Sequence, residues 1–293
     1  MRITAYVLSR LAAGLSLGLC LTTAVPAQTA IETLSNTVSE VENRLGARVG
    51  VMLVDTGSDT SWAHRADERF LMNSTVKAPV CAAMLKQVDE GALLLSDTLV
   101  VRQDEILAYA PITKTRVGTE MTLSDLCFAA LDISDNTATN MVIDHIGGPQ
   151  AVTAFFREIG DEISRLDRRE PELNTFASGD PRDTTTPRAM SETLRALLLG
   201  DVLAPMSRIQ LVEWMSFGGV TKNLLRADAP DGWLILDKSG SGSHTRNIIA
   251  LITPEGADPW IATIFISDVD ADFATRNAAL QEIGSAVMAV INH

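Results

Sequence analysis

The sequence predicts an α/β fold of the α+β type, an antiparallel sheet flanked by helices and built from both chain ends, with an all-helical domain inserted between the halves. Three observations carry this expectation. Two β-rich runs lie near the start, three apolar β-branched runs lie near the end, and the stretch between is punctuated by helix caps and stops. In chain order, "ARVGVMLVDT" (47–56) and "TSWAHR" (60–65) read as a strand pair split by the turn residues "GSD". Residues 74–90 read as a helix ending before Gly91, and 122–131 as a helix opened by a Thr122 to Asp125 capping pattern. Residues 149–159 start at a proline and stop at Gly160; 187–199 have Thr186 as cap, Pro187 in first position and Gly200 beyond. "GWLILDKSG", "NIIALITPE" and "WIATIFISD" then read as three strands, and 273–291 as a closing helix. The implied division is an α/β domain from 28–66 and 218–293, and a helical domain over 67–217. The cleft between them is the default site.

The first 27 residues form a separate unit. They carry Arg2 and Arg10, the apolar core "LAAGLSLGLCL", and Val25 and Ala27 placed for signal-peptidase cleavage after Ala27. The run is short and broken by Ser, Thr and Pro, so it reads as a secretory signal rather than a membrane span. Leu19 before Cys20 makes a poor lipidation box. A periplasmic or secreted protein with no membrane association after cleavage is expected. The mature chain, 293 − 27 = 266 residues, is large enough for a substantial core. Its charge balance is 24 − 2 = 22 Lys+Arg against 37 Asp+Glu, a net −15. Such a chain repels nucleic acid and anionic membrane, and it shows no basic stripe. No repeat or flexible linker appears, and nothing suggests more than a monomer.

Of three cysteines, Cys81 and Cys127 remain after cleavage, in an oxidising compartment. They are either two buried thiols or a bridge, whose closed loop the chain-entropy model values at about 4 kcal/mol. The histidines (His64, His145, His244, His293) lack paired ligand spacing, so no metal is expected.

"FLMNSTVKAPVCAAML" (70–85) sets Ser74 three residues before Lys77. On a helix, positions i and i+3 share a face, so a lysine amine could lie near the serine hydroxyl, which is a poor nucleophile until a base takes its proton. The bland alternative is a capping serine and a solvent-seeking lysine, and a Ser-x-x-Lys pair occurs by chance about once in a chain this long. "LDISDNTATN" adds Ser134, Asp135 and Asn136, and "LDKSGSG" adds Lys238, Ser239 and Gly240 at a strand end. In this order, Ser-x-x-Lys, Ser-Asp-Asn and Lys-Ser-Gly resemble the motif set of the active-site serine penicillin-recognising enzymes. The resemblance runs from about residue 31 to the end. "RLDRREPELN" (165–174) narrows it to the class A serine β-lactamases. It is similar to their omega loop (168–183), with Glu170 and Asn174 at matching positions and Arg168 and Asp183 available as its ion pair.

The resemblance implies the two-lobed β-lactamase/transpeptidase-like fold and hydrolysis of β-lactam antibiotics through a Ser74 acyl-enzyme, with no cofactor. Ester release needs a water deprotonated by a positioned carboxylate, a role it gives to Glu170 with Asn174 holding that water. Whether Lys77 or Glu170 is the acylation base stays open. It further implies an oxyanion hole from the backbone N–H groups of Ser74 and Ser241, and Ser134 as proton donor to the leaving nitrogen. Asn136 would bind the substrate's amide side chain, Lys238, Ser239 and Arg246 its carboxylate, and Tyr109 would stand at the cleft mouth. Alignment of Arg246 needs a one-residue deletion in "GSGSHTRN", and a strand-face charge is its alternative. Cys81 and Cys127 match the disulfide of many enterobacterial members.

Several positions depart from the pattern. Asn73 and Gly242 stand where several carbapenemases have a cysteine pair, Arg169 stands where a tryptophan is common, and Pro79 interrupts the nucleophile helix near its start. The Ser241 hydroxyl is associated in the family with wider cephalosporin acceptance. A penicillin-binding DD-peptidase would share the three motifs but lack the Glu170 loop. A β-lactam sensor domain would need a membrane tether and would lack deacylation.

Overall fold

The computed structural model describes residues 27–293. The leader expected over residues 1–27, with Cys20, therefore lies outside the described residues apart from Ala27. The elements in order are α1 (Ala27–Leu45), β1 (Arg48–Asp55), β2 (Ser61–His64), β3 (Phe70–Leu71), α2 (Lys77–Asp89), β4 (Thr98–Val100), β5 (Glu120–Thr122), α3 (Leu123–Asp132), α4 (Asn136–His145), α5 (Pro149–Glu158), β6 (Thr184–Thr185), α6 (Pro187–Leu198), α7 (Pro205–Ser216), β7 (Leu234–Ser241), β8 (Arg246–Thr253), β9 (Trp260–Ser267) and α8 (Phe273–Ile291). A 3₁₀ turn over Asn73–Val76 leads into α2.

Both chain ends build the main sheet, in the order β2-β1-β9-β8-β7 with every pair antiparallel. Period-two alternation sends its side chains to two cores. Ile248, Ala250 and Ile252 of β8 face Leu34 and Val38 of α1 and Ile283 and Val287 of α8. Ile249 and Leu251, with Phe265 of β9, join the core of the helical region. There α2 is buried on all sides, as residues 77–85 show, and is the central post against which α3, α4, α5 and α7 pack. Cys81 on α2 and Cys127 on α3 form a disulfide, with Cα atoms 5.8 Å apart.

The caps behave as the sequence predicts. Thr122 and Asp125 make a reciprocal capping box, and the Thr186 hydroxyl accepts from the Ala189 N–H ahead of Pro187. Ser74 is not a cap. The turn begins at Met72 without a side-chain cap, and the Ser74 hydroxyl is directed elsewhere. Pro79 falls in the first turn of α2, where helix N–H groups lack intrahelical partners anyway, so the helix continues unbroken to Asp89. Among the described residues no helix is long and apolar enough to cross a membrane.

Candidate active site

The helical post, the omega loop and the end of β7 converge on one cleft of about 550 Å³, within the size range of small-molecule sites. Ser74, Tyr109, Ser134, Asn136, Asn174, Ser239, Ser241 and Arg246 line it, and Lys77, Glu170 and Lys238 lie behind this lining. All eleven residues singled out in the sequence are thus brought together, from segments up to 172 positions apart (246 − 74). Cys81 and Cys127 sit deeper, pinning α2 to α3 below the site.

Ser74 stands in the 3₁₀ turn, and its hydroxyl donates to Glu170 Oε1 at 3.5 Å. The fully buried Lys77 ammonium lies 3.2 Å from the same oxygen. It also donates to Asn136 Oδ1 at 2.6 Å, to the Ser134 carbonyl at 2.8 Å and to Ser134 Oγ at 3.1 Å. Burial lowers the Lys77 pKa, and the Glu170 carboxylate opposes that shift.

Ser134 precedes α4 with φ near +63°, in the left-handed region, which aims its side chain back toward α2. Asp135 holds this bend. Its carboxylate caps Ala138 and accepts from the N–H groups of Ile112 and Thr113. Across the cleft, Lys238 Nζ donates to Ser134 Oγ at 3.1 Å and to the Ser239 carbonyl at 2.9 Å. Burial and the positive charges of Lys77 and Arg246 drive the Lys238 pKa well below the usual lysine range.

The omega loop is fixed at both ends. Asp183 accepts from the N–H groups of Asp167 and Arg168 and pairs with the Arg168 guanidinium, as the sequence suggests. Asn140 on α4 bonds the Glu170 backbone in both directions, through Nδ2 to the carbonyl at 2.8 Å and through Oδ1 from the N–H at 2.9 Å. Asn174 Nδ2 donates to Glu170 Oε2 at 2.5 Å.

Arg246, at the start of β8, lines the cleft, and among the described residues it is paired with no carboxylate. Its guanidinium donates to Asn277 Oδ1 and to the Gly240 carbonyl and lies over the Phe273 ring. Burial, with Arg276 nearby, lowers its pKa to about 10. Tyr109 is half exposed at the rim, its hydroxyl donating to the Ile133 carbonyl. Among the described residues no cluster of His, Cys, Asp and Glu could hold a metal.

Sequence reasoning missed Asn140, Asn277, Val220 and Phe273. The first two fix Glu170 and Arg246, and the other two form apolar wall. None carries a local signal, since each acts on a partner distant in sequence.

Residues 33–291 match the model of the β-lactamase enzyme family. A β-lactamase of Rhodobacter capsulatus is 64% identical over 99% of both chains. Beta-lactamase AER-1 of Aeromonas hydrophila is 44% identical over 86% of this chain and 83% of its own. Among solved structures, an ancestral class A β-lactamase superposes with a TM-score of 0.84 at 47% identity, covering 87% of this chain and 98% of its own.

Proposed function

The chain belongs to the class A serine β-lactamases, and from that premise we propose that it hydrolyses the amide of β-lactam antibiotics through an acyl-enzyme on Ser74, conferring resistance. The observation that carries this reading is the meeting of the Ser74 hydroxyl and the Lys77 ammonium on one oxygen of Glu170. Ser74 attacks the lactam carbonyl while the Lys77–Glu170 pair takes up its proton. Burial lowers the Lys77 pKa, so its amine, one turn from Ser74, can take the serine proton when Glu170 is removed.

Ser134 Oγ accepts from both Lys77 and Lys238. With both lone pairs engaged, its one proton is free to pass to the departing lactam nitrogen. Asn136 Oδ1 is held by Lys77, which leaves its NH₂ to donate to the substrate's amide side chain. The backbone N–H groups of Ser74 and Ser241 stabilise the oxyanion. Lys238, Ser239 and Arg246 take the carboxylate, and Tyr109 borders the mouth. Glu170, with Asn174, then activates the water that releases the ester.

The division at 67 and 217 is kept, with the cleft between the helical domain and the sheet domain. Export to the periplasm, action as a monomer, and acceptance of penicillins with some cephalosporins complete the proposal.

Glu170→Ala tests it. Ser74 should still acylate while the ester has no base to discharge it, so a burst of about one equivalent should precede turnover slowed 10²- to 10⁴-fold, with an adduct on Ser74 by intact mass. Wild-type turnover without a burst would overturn the assignment of Glu170.

A further inference from the structure

We propose that Asn73 is a positioning residue for deacylation: through a one-way chain of amide hydrogen bonds anchored on β8, it decides which end of the Asn174 amide faces Glu170. This rests on Glu170 being the hydrolytic base.

A primary amide has a donor end and an acceptor end of nearly the same shape, so its neighbours set its orientation. The chain starts at Asn247 on β8. Its Oδ1 accepts from the Ile266 N–H at 3.3 Å, and its Nδ2 donates to the Leu71 carbonyl at 2.8 Å. Backbone groups cannot exchange roles, so Asn247 cannot reverse. The same Nδ2 lies 2.9 Å from Asn73 Oδ1, which therefore accepts; it also accepts from Thr245 Oγ1 at 2.7 Å. Asn73 Nδ2 is left to donate, and it meets Asn174 Oδ1 at 3.0 Å. That contact, together with the Pro171 carbonyl 3.3 Å from Asn174 Nδ2, turns the Asn174 NH₂ toward Glu170 Oε2. A reversed Asn174 would set a carbonyl oxygen against the carboxylate with no proton between them.

The surroundings fit this chain. Asn73 is fully buried with φ near +50°, a conformation asparagine tolerates better than most residues. A Cβ at residue 242 would lie 2.9 Å from Asn73 Nδ2 and 2.8 Å from Thr245 Oγ1, so Gly242 leaves the chain its space. Asn73, Thr245 and Asn247 do not themselves line the cleft, and the Asn73 side chain meets a cleft residue in Asn174.

Asn73→Asp keeps the acceptor toward Asn247 and Thr245 and, ionised, replaces the donor toward Asn174 with a second, charged acceptor. In single-turnover kinetics with a penicillin, acylation should change by less than about fivefold, while deacylation falls roughly 10- to 100-fold, less than the 10²- to 10⁴-fold of losing the base itself. Asn73→Ala made in the wild type and in Asn174→Ala gives a second reading, which decides the matter if the aspartate variant does not fold. It should slow deacylation in the first background and by less than about twofold in the second, the signature of residues acting as one unit. Equal losses in both backgrounds, unchanged deacylation, or acylation and deacylation falling together would overturn the proposal. Glu170→Ala measured alongside separates the two levels. If it accumulates acyl-enzyme and the Asn73 variants do not slow deacylation, only this inference fails; if it does not accumulate, the reading of Glu170 fails and this inference with it.

Discussion

Gly240→Ala should slow catalysis without unfolding the protein, because Gly240 sets the distance between the end of β7 and the nucleophile turn. A Cβ at this position would lie 2.8 Å from the Met72 carbonyl, 2.9 Å from Asn73 Cβ and 3.1 Å from the Ser74 nitrogen. Relaxed carbon contacts lie near 3.5–4.0 Å, so the strand and the turn must separate by roughly 0.5–1 Å. Gly240 is not among the residues with positive φ, so alanine's backbone preferences are not at issue and the effect is steric. The two oxyanion donors proposed at Ser74 and Ser241 lie on opposite sides of this contact. Each must come within about 2.7–3.1 Å of the oxyanion, and losing one typically costs 10²- to 10³-fold in kcat. Partial relaxation of the turn reduces the expected loss to roughly 10- to 100-fold in kcat for a penicillin, since a misplacement near 1 Å can cost about 10²-fold. The overpacking itself costs about 1–3 kcal/mol of stability, which leaves a folded protein. Steady-state hydrolysis and a thermal melt on the same preparation check both parts. A folded variant with wild-type kcat would refute the spacing argument.

Asp183→Asn should release the omega loop, because it removes the charge facing the mostly buried Arg168 guanidinium and breaking a buried pair costs about 3–5 kcal/mol. Amide exchange over 165–183 should speed up by about 10²-fold or more while penicillin turnover falls, and unchanged protection would refute this. Arg246, lowered to about 10, keeps its charge below that pH and loses it above, so KM for a penicillin should rise through pH 10. The substrate's methyl ester should show no such rise, and parallel rises would remove Arg246 from carboxylate binding. In stability the sign is opposite: the buried charge disfavours the folded state, so this cost is relieved as pH rises from about 10 toward the guanidinium's ordinary 12.5.

Helices with local punctuation were legible in the sequence. Thr122 with Asp125, and Thr186 with Pro187, signal their helices within four residues, and the β8 and β9 runs are long enough to show their β character. Three helices, α1, α4 and α7, take no bounds from the sequence. Helix α1 begins where the leader reading ends and has no proline or glycine start, and α7 leaves Met206 and Ile209 exposed, so its apolar pattern does not follow one face. The site divides the same way. Ser74, Lys77 and the Ser134 to Asn136 run stand in short motifs, whereas Asn140 and Asn277 act across 30 and 31 residues on backbone and guanidinium partners. A single asparagine carries no period or spacing, and only folding shows that its amide meets an obligatory donor or acceptor.

The charges at the site divide by task. The chain carries a net −13, yet Lys77, Lys238 and Arg246 meet at the cleft with Glu170 the one carboxylate paired with any of them among the described residues. Only Lys77 takes that carboxylate, which keeps the pair close to balanced. Lys238 is held by Ser134 Oγ and the Ser239 carbonyl, and Arg246 by Asn277 Oδ1 and the Gly240 carbonyl. Neutral oxygens position these two cations without cancelling them, and their mutual repulsion contributes to the lowered Lys238 pKa. An incoming carboxylate would relieve that repulsion at the moment of binding. The acidic surface opposes an anionic substrate at long range, but ions screen that field beyond about 8 Å at physiological salt, whereas the buried cations are screened far less. Under the proposed roles of Lys238 and Arg246, recognition of a β-lactam carboxylate follows from cations the fold leaves without a carboxylate partner, not from the charge of the protein as a whole.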